Sequence, residues 1–237
     1  MPIQPTTSRA RAKVEMTNEI KAAARRQLAE VGSDGLSLRA VAREVGLVSS
    51  AVYRYFASRD ELLTALIVDA YDAVGLVAEQ AAESTRGRRV DVRWGAVARA
   101  VRTWALAHPH DYSLIYGSPV PGYRAPADTV DPALRVTRAA LSVLHDGVLD
   151  GEVDVQPRSS VPRAVHADFT TIRDGLGTDL PDELVARGLA AWTGLLGHIS
   201  YELFGHLHNG ITDFDAFFEL QLARSTAVLV GRTFTSA

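Results

Sequence analysis

Two short amphipathic segments, separated by a few residues that pivot on a glycine, constrain this chain more than any other feature. Leu38, Val41, Ala42 and Val45 recur at helical spacing behind Ser37, which sits where an N-cap belongs. Gly46 follows at once, where a left-handed residue ends a helix at no steric cost. Ser49 or Ser50 can then cap a second short helix, Ala51-Val52-Tyr53-Arg54-Tyr55-Phe56. Two such helices joined by a tight turn make a helix-turn-helix. Ser58 and Glu61 have capping-box spacing and open a long helix running toward Ser84.

Helical periodicity fills most of the remaining chain. Ile20, Ala24, Leu28 and Val31 mark one face of a helix starting near Thr17 and stopped by Gly32-Ser33-Asp34-Gly35. Further helices are expected over 91–108, 111–116, 131–149, 181–207 and 213–230, with a short one within 162–176. No strand pattern and no repeat is present. The expected fold is all-α, an N-terminal three-helix head fused to a larger helical bundle. The expected divisions are a flexible basic arm over 1–16, the head over 17–60 and the body over 61–237.

The chain has 237 residues, enough to bury a sizeable core. It has no cysteine, which excludes disulfides, thiolate metal centres and a thiol nucleophile. No apolar run approaches the roughly 18 residues of a membrane span, and the N-terminus lacks a signal-peptide core, so a cytoplasmic location is expected. The formal net charge of -3 is unevenly divided: residues 1–60 carry ten Lys+Arg against six Asp+Glu, and residues 61–237 carry 15 against 22. A basic head on an acidic body points to a nucleic-acid-binding module joined to something else.

The head gives that charge a surface. A recognition helix must be short and must project side chains into a major groove roughly 12 Å wide. Ser49, Ser50 and Ala51 are small enough to let its backbone approach a duplex. Tyr53, Arg54 and Tyr55 then offer hydroxyl and guanidinium donors to phosphates or base edges. Ser37 and Arg39 stand at a helix N-terminus, which favours phosphate, and Arg59 is similarly placed on the next helix. Phe56 is read as core. Arg9, Arg11 and Lys13 can track the minor groove as an arm or be a solvated tail.

Leu36-Ser37-Leu38-Arg39-Ala40-Val41-Ala42-Arg43-Glu44-Val45-Gly46 together with Ala51-Val52-Tyr53-Arg54-Tyr55-Phe56-Ala57-Ser58-Arg59-Asp60-Glu61-Leu62-Leu63 resembles the DNA-binding domain of TetR-type transcriptional regulators. The shared order is an N-cap hydroxyl, a Val-Ala pair, the turn glycine, Tyr-x-Tyr-Phe, then a basic residue and Leu-Leu. Ser37 replaces the family's frequent Thr, Val48-Ser49-Ser50-Ala51 replaces Ser-x-Gly-Thr, and Arg59 replaces the usual Lys. The resemblance implies a homodimer on a double-stranded DNA operator, most often a repressor, with the body binding a small-molecule effector whose identity the sequence does not give. A helical small-molecule-binding protein without sequence-specific DNA binding is the alternative.

The body carries no catalytic signature, so neither an enzyme nor a cofactor is expected. Gly117-Ser118-Pro119-Val120-Pro121-Gly122 is not a nucleophile elbow, and Gly175-Leu176-Gly177 is not a dinucleotide loop. His198, His206 and His208 lack a shared helix face, and no metal site is assigned. Trp94, Tyr112, Tyr116, Trp192 and Phe204 are candidate pocket residues, with simple core packing as the competing reading. By resemblance, Ala191-Trp192-Thr193-Gly194-Leu195-Leu196-Gly197 is similar to a C-terminal subclass with a Trp-His-Gly signature, whose His is replaced by Leu196. Gly188, Gly194 and Gly197 suggest close helix approach. The resemblance pairs the helices 181–207 and 213–230 with their twofold copies through Gly194, Gly197, Phe214, Phe217 and Leu222, with Phe218 and Leu229 beside them.

Overall fold

A computed structural model of the chain describes residues 8–33, 35–157 and 160–231. The described residues form ten α-helices and two single 3-10 turns, with no strand among them. In chain order the helices are α1 (Ser8–Val31), α2 (Leu38–Glu44), α3 (Ser49–Val52), α4 (Arg59–Ser84), α5 (Val90–Ala107), α6 (Pro109–Tyr116), α7 (Val130–Leu149), α8 (His166–Leu176), α9 (Asp182–Leu203) and α10 (Phe214–Val230). The described residues fall into two compact units, one of those up to residue 70 and from 110 to 129, the other of those from 71 to 109 and from 130 on.

In the first unit, α1 corrects the expected arm. Residues 1–7 of that arm lie outside the described residues, as does Asp34 of the expected helix stop. Residues 8–16 are not an arm but the first turns of α1, because Ala10, Ala12, Lys13 and Met16 are good helix formers and nothing among them breaks a helix. Thr17 therefore lies inside α1 rather than at its start, and its hydroxyl donates to the Lys13 carbonyl at 2.8 Å. Ile20, Ala23, Ala24 and Leu28 are buried against Leu38, Val41, Ala42, Val52, Phe56, Leu62, Leu63 and Leu66. Each large aliphatic or aromatic member of that core contributes about 1.5–3 kcal/mol. The unit also takes in α6 and the loop after it, which a linear reading assigns to the body. Asp111 reaches Arg25 at 3.4 Å, Asp69 pairs with Lys21 and Arg25, and the Thr64 and Tyr123 hydroxyls bond at 2.8 Å.

The second unit packs α5, α7, α9, α10 and the later turns of α4, with α8 beside α7 and α9. Its core is built from Trp94, Val97, Val101, Leu141, Leu144, Leu184, Trp192, Leu195, Ile199, Phe218 and Leu222. Gly188 explains how α9 meets α7: a Cβ there would stand 2.4 Å from Leu141 Cδ2 and 3.0 Å from Leu144 Cδ2. Arg102 ties three helices together. Its guanidinium pairs bidentately with Glu202 at 2.9 and 2.7 Å, reaches Asp215 at 2.7 Å and lies 4.7 Å over the Phe218 ring. No described helix is long and apolar enough to cross a membrane.

Candidate nucleic-acid interface

Three local features set the geometry of the head. Ser37 has extended backbone angles at the N-cap of α2, but its side chain makes no capping bond, and its N–H donates to Gln27 Oε1 at 3.3 Å. Gly46 adopts φ +70°, which lets the Gly46 N–H reach the Arg43 carbonyl and the Leu47 N–H the Ala42 carbonyl. A side chain there would be strained by the left-handed backbone, although the space is open. Ser58 Oγ accepts from the Glu61 N–H at 3.1 Å while Glu61 Oε2 accepts from the Ala57 N–H at 2.6 Å, a capping box displaced by one residue.

The recognition segment departs from expectation at its start. Val48, not Ser49 or Ser50, holds the N-cap position, and both serines lie in the first turn of a helix four residues long. The helical path continues past Val52 as turns, with the Arg54 N–H on the Ala51 carbonyl and the Phe56 N–H on the Val52 carbonyl. Val52 and Phe56 face the core at 0% and 5% exposure, which turns the opposite side outward. Ser49, Ser50, Tyr53 and Arg54 are exposed there, and Ala51 and Tyr55 are half-buried. Arg39 is exposed at the start of α2.

Charge pairing separates these cations into two groups. Lys21, Arg25 and Arg26 are held by carboxylates. Arg59 is drawn into the fold, donating to the Ser33 carbonyl at 2.6 Å and pairing with Asp60 at 3.3 Å. It braces the loop before α2, so its guanidinium is less available to a phosphate than its sequence position implies. Arg9, Lys13, Arg39, Arg43 and Arg54 form no ion pair with any described residue. Arg9, Lys13 and Arg54 line one open groove of about 790 Å³ with Ala10, Ala12, Met16, Leu47, Ala51 and Tyr55. Leu47 and Met16 carried no signal in the sequence, because the groove exists only once residues 8–16 are helical.

The second unit holds three of the candidate effector residues, Trp94, Trp192 and Phe204. Trp94 and Trp192 meet edge to face, with centroids 6.0 Å apart and planes at 81°, both buried, and the Trp94 indole N–H has no acceptor among the described residues. Tyr112 and Tyr116 pair in the first unit, with centroids 5.0 Å apart and Tyr112 fully buried. Phe204 is 42% exposed just past the end of α9. A cleft of about 360 Å³ lined by Arg86, Arg93, Arg135 and Arg138 escaped the sequence reading; in it Arg135 is held by Asp72 and Glu79, and Arg93 by Asp146. Bonding to Glu79 raises the Arg135 pKa further, and bonding to Arg135 lowers that of Glu79. Among the described residues no cluster of three or more His, Asp or Glu could hold a metal.

The expected dimer residues divide. Leu222, Phe218 and Leu229 are buried within the chain's own core at 3%, 1% and 0% exposure, because α10 turns that face to α9 and α5; they are corrected from interface to core. Gly194 and Gly197 are exposed, with nothing within 4 Å of an added Cβ. Phe214 and Phe217 are half-buried. Ala190, Gly194, Gly197 and Tyr201 recur at three- and four-residue spacing on α9, and Leu220, Arg224 and Val228 do so on α10, all exposed. A shallow cleft of about 250 Å³ lies where the two helices meet, lined by Ala190, Gly194, Gln221, Arg224 and Val228 among others.

Comparison with known proteins bears on both units. The model of the family described as "Bacterial regulatory proteins, tetR family" matches residues 20–66, and that of "Tetracyclin repressor-like, C-terminal domain" matches residues 94–225. The HTH-type transcriptional regulator Rv1816 of Mycobacterium tuberculosis is 42% identical over 211 residues, covering 86% of this chain and 88% of that protein. The crystal structure of SCO4313, described as a regulatory protein, superposes with a TM-score of 0.76 at 34% identity over 92% of this chain and 98% of that one. A protein from Rhodococcus sp. RHA1 gives a TM-score of 0.68 at 22% identity, covering 99% of this chain and 100% of that one, a likeness of fold alone.

Proposed function

Since the chain belongs to the TetR family of bacterial regulatory proteins, and is a DNA-binding transcriptional regulator and not an enzyme, we propose that it is a repressor released from a palindromic operator by a small molecule. The observation that carries this reading is the outward face of α3 and the turn after it. Ser49, Ser50, Tyr53 and Arg54 are exposed on a short helix whose other face is pinned by Val52 and Phe56. Ala51 and Tyr55 flank them, Ser37 and Arg39 offer the α2 N-terminus to a phosphate, and Arg59 supports the loop before α2.

A homodimer carries two such heads to half-sites one helical turn, about 34–36 Å, or a multiple of it apart. Its interface uses the exposed stripe through Gly194 and Gly197 on α9 and the α10 stripe through Leu220 and Val228, with Phe214 and Phe217 at its margin. A regulator of bacterial DNA works where that DNA is, in the cytoplasm. The effector is an apolar molecule with a hydrogen-bond acceptor. Trp94 and Trp192 are its principal contacts, because the unpartnered Trp94 N–H costs about 1–3 kcal/mol that an acceptor would recover once the pair parts. Tyr112, Tyr116 and Phe204 are further candidates. The similarity of residues 191–197 to the Trp-His-Gly subclass adds no ligand chemistry, since Leu196 cannot supply that histidine's hydrogen bonds. The effector's leverage equals its difference in affinity between the DNA-competent state and the released one.

Selection of bound fragments from genomic DNA, followed by gel shifts at low salt, tests the reading. Recovery of a fragment with an inverted repeat, shifted by folded dimer, is expected. A folded dimer that shifts no fragment overturns it.

A further inference from the structure

We propose that the groove between the first turns of α1 and the recognition segment seats one sugar–phosphate strand of the duplex, with Arg9 and Lys13 on one wall and Arg54 and Tyr55 on the other. This rests on the DNA-binding reading above and assigns the α1 extension a part in it. The groove measures about 790 Å³, and none of the residues lining it is acidic. The rest of its lining, Ala10, Ala12, Met16, Leu47 and Ala51, is apolar and suits the carbon faces of sugars. Its three cations form no ion pair with a described residue, whereas Lys21, Arg25 and Arg26, further along the same helix, all do.

The spacing fits a strand better than a single anion. Arg9 and Lys13 are four residues apart on one helix face, a step of about 6 Å along the axis, which is the scale of the interval between neighbouring phosphates. The charge order is also wrong for a free helix. The first turn of α1 holds no acidic residue and its opening residues include cations, the reverse of what the helix dipole favours, so the segment is electrostatically completed by an anion from outside. Arg54 belongs to the recognition segment, so a strand held in the groove borders the major groove that α3 enters.

The test is the salt dependence of binding by the full-length protein. The probes are a mixed-sequence duplex of about 30 base pairs, long enough for two half-sites, and a fragment selected from genomic DNA. The double variant Arg9→Ala and Lys13→Ala keeps α1, alanine being the best helix former, and circular dichroism and melting should match the wild type. Each lost phosphate contact lowers the slope of log affinity against log salt by about 0.9, so the slope should fall by about 1.8 per protomer contact pair on both probes. Across a fourfold rise in salt the wild type should then lose about tenfold more affinity than the variant for each protomer engaged, and on the order of a hundredfold more when both protomers of the dimer are bound. The control Arg88→Ala with Arg163→Ala removes the same charge from exposed positions elsewhere and should leave the slope unchanged. A wild-type slope for the α1 variant overturns the proposal while leaving the regulator intact. A loss confined to the selected fragment overturns it in favour of base contact. Wild-type protein that binds neither probe overturns both readings.

Discussion

Arg54 is the exposed cation nearest the centre of the recognition surface, and its loss should be felt there first. Arg54→Ala should weaken binding to the selected operator by about 1–3 kcal/mol if the guanidinium bridges a base edge, measured by titration at fixed salt. The exposure of Tyr53 and Arg54 could be read from sequence because a short helix with Val52 and Phe56 buried has only one other side to offer. The role of Arg59 could not, because its partner is the Ser33 carbonyl, a backbone atom 26 positions away that no side-chain pattern announces. His198 supplies a residue-level pH prediction. Burial lowers its pKa below the ordinary 6.5, Glu202 opposing that and the Arg102 guanidinium reinforcing it, while its ring packs against Phe217 and Phe218 and Nε2, 3.9 Å from Glu202 Oε2, makes no hydrogen bond. The unfolded chain then binds the extra proton, so this contribution to stability is complete above about pH 7 and is lost as pH falls through 6.5 toward the folded value. Melting between pH 5 and pH 8 should show a shallower acid loss in His198→Phe than in the wild type; an unchanged profile would refute the assignment.

At the scale of elements, helices with long apolar stripes were legible and their ends were less so. The start of α4 was marked by Ser58 and Glu61; at the start of α10, Thr212 and Asp213 could both serve as the cap, and it is the Asp213 carboxylate that accepts from the Ala216 N–H, at 2.8 Å. The first turns of α1 were not, since exposed alanines and cations leave no periodic apolar signal, and propensity alone decides them. The glycines of α9 show what spacing hides: one helix uses the same residue type for two purposes. Gly188 is pressed against Leu141 and Leu144, so Gly188→Leu overpacks the core and should cost about 1–3 kcal/mol in chemical denaturation. Gly194 opens on empty space, so Gly194→Leu should leave the secondary structure of the protomer intact while sedimentation shows weakened self-association. A monomer–dimer balance unmoved by that variant would remove Gly194 from the interface.

The whole molecule makes DNA affinity and self-association one measurement. On the palindrome proposed above two heads are needed, so a dimer-weakening variant such as Gly194→Leu should shift the operator titration to higher protein concentration and steepen it, with Arg54 untouched. The buried Trp94–Trp192 pair has a further consequence for how such a molecule can be watched. The chain contains three tryptophans, Trp94, Trp104 and Trp192, and all belong to the second unit. Indole emission is therefore a private channel of that unit, and the first unit contributes only tyrosine signal, from Tyr53, Tyr55, Tyr112, Tyr116 and Tyr123. An edge-to-face pair 6.0 Å apart permits energy transfer between its rings, so a molecule wedged between them would change emission lifetime and anisotropy at native wavelengths without any attached dye. The protein thus carries its own optical reporter for effector screening.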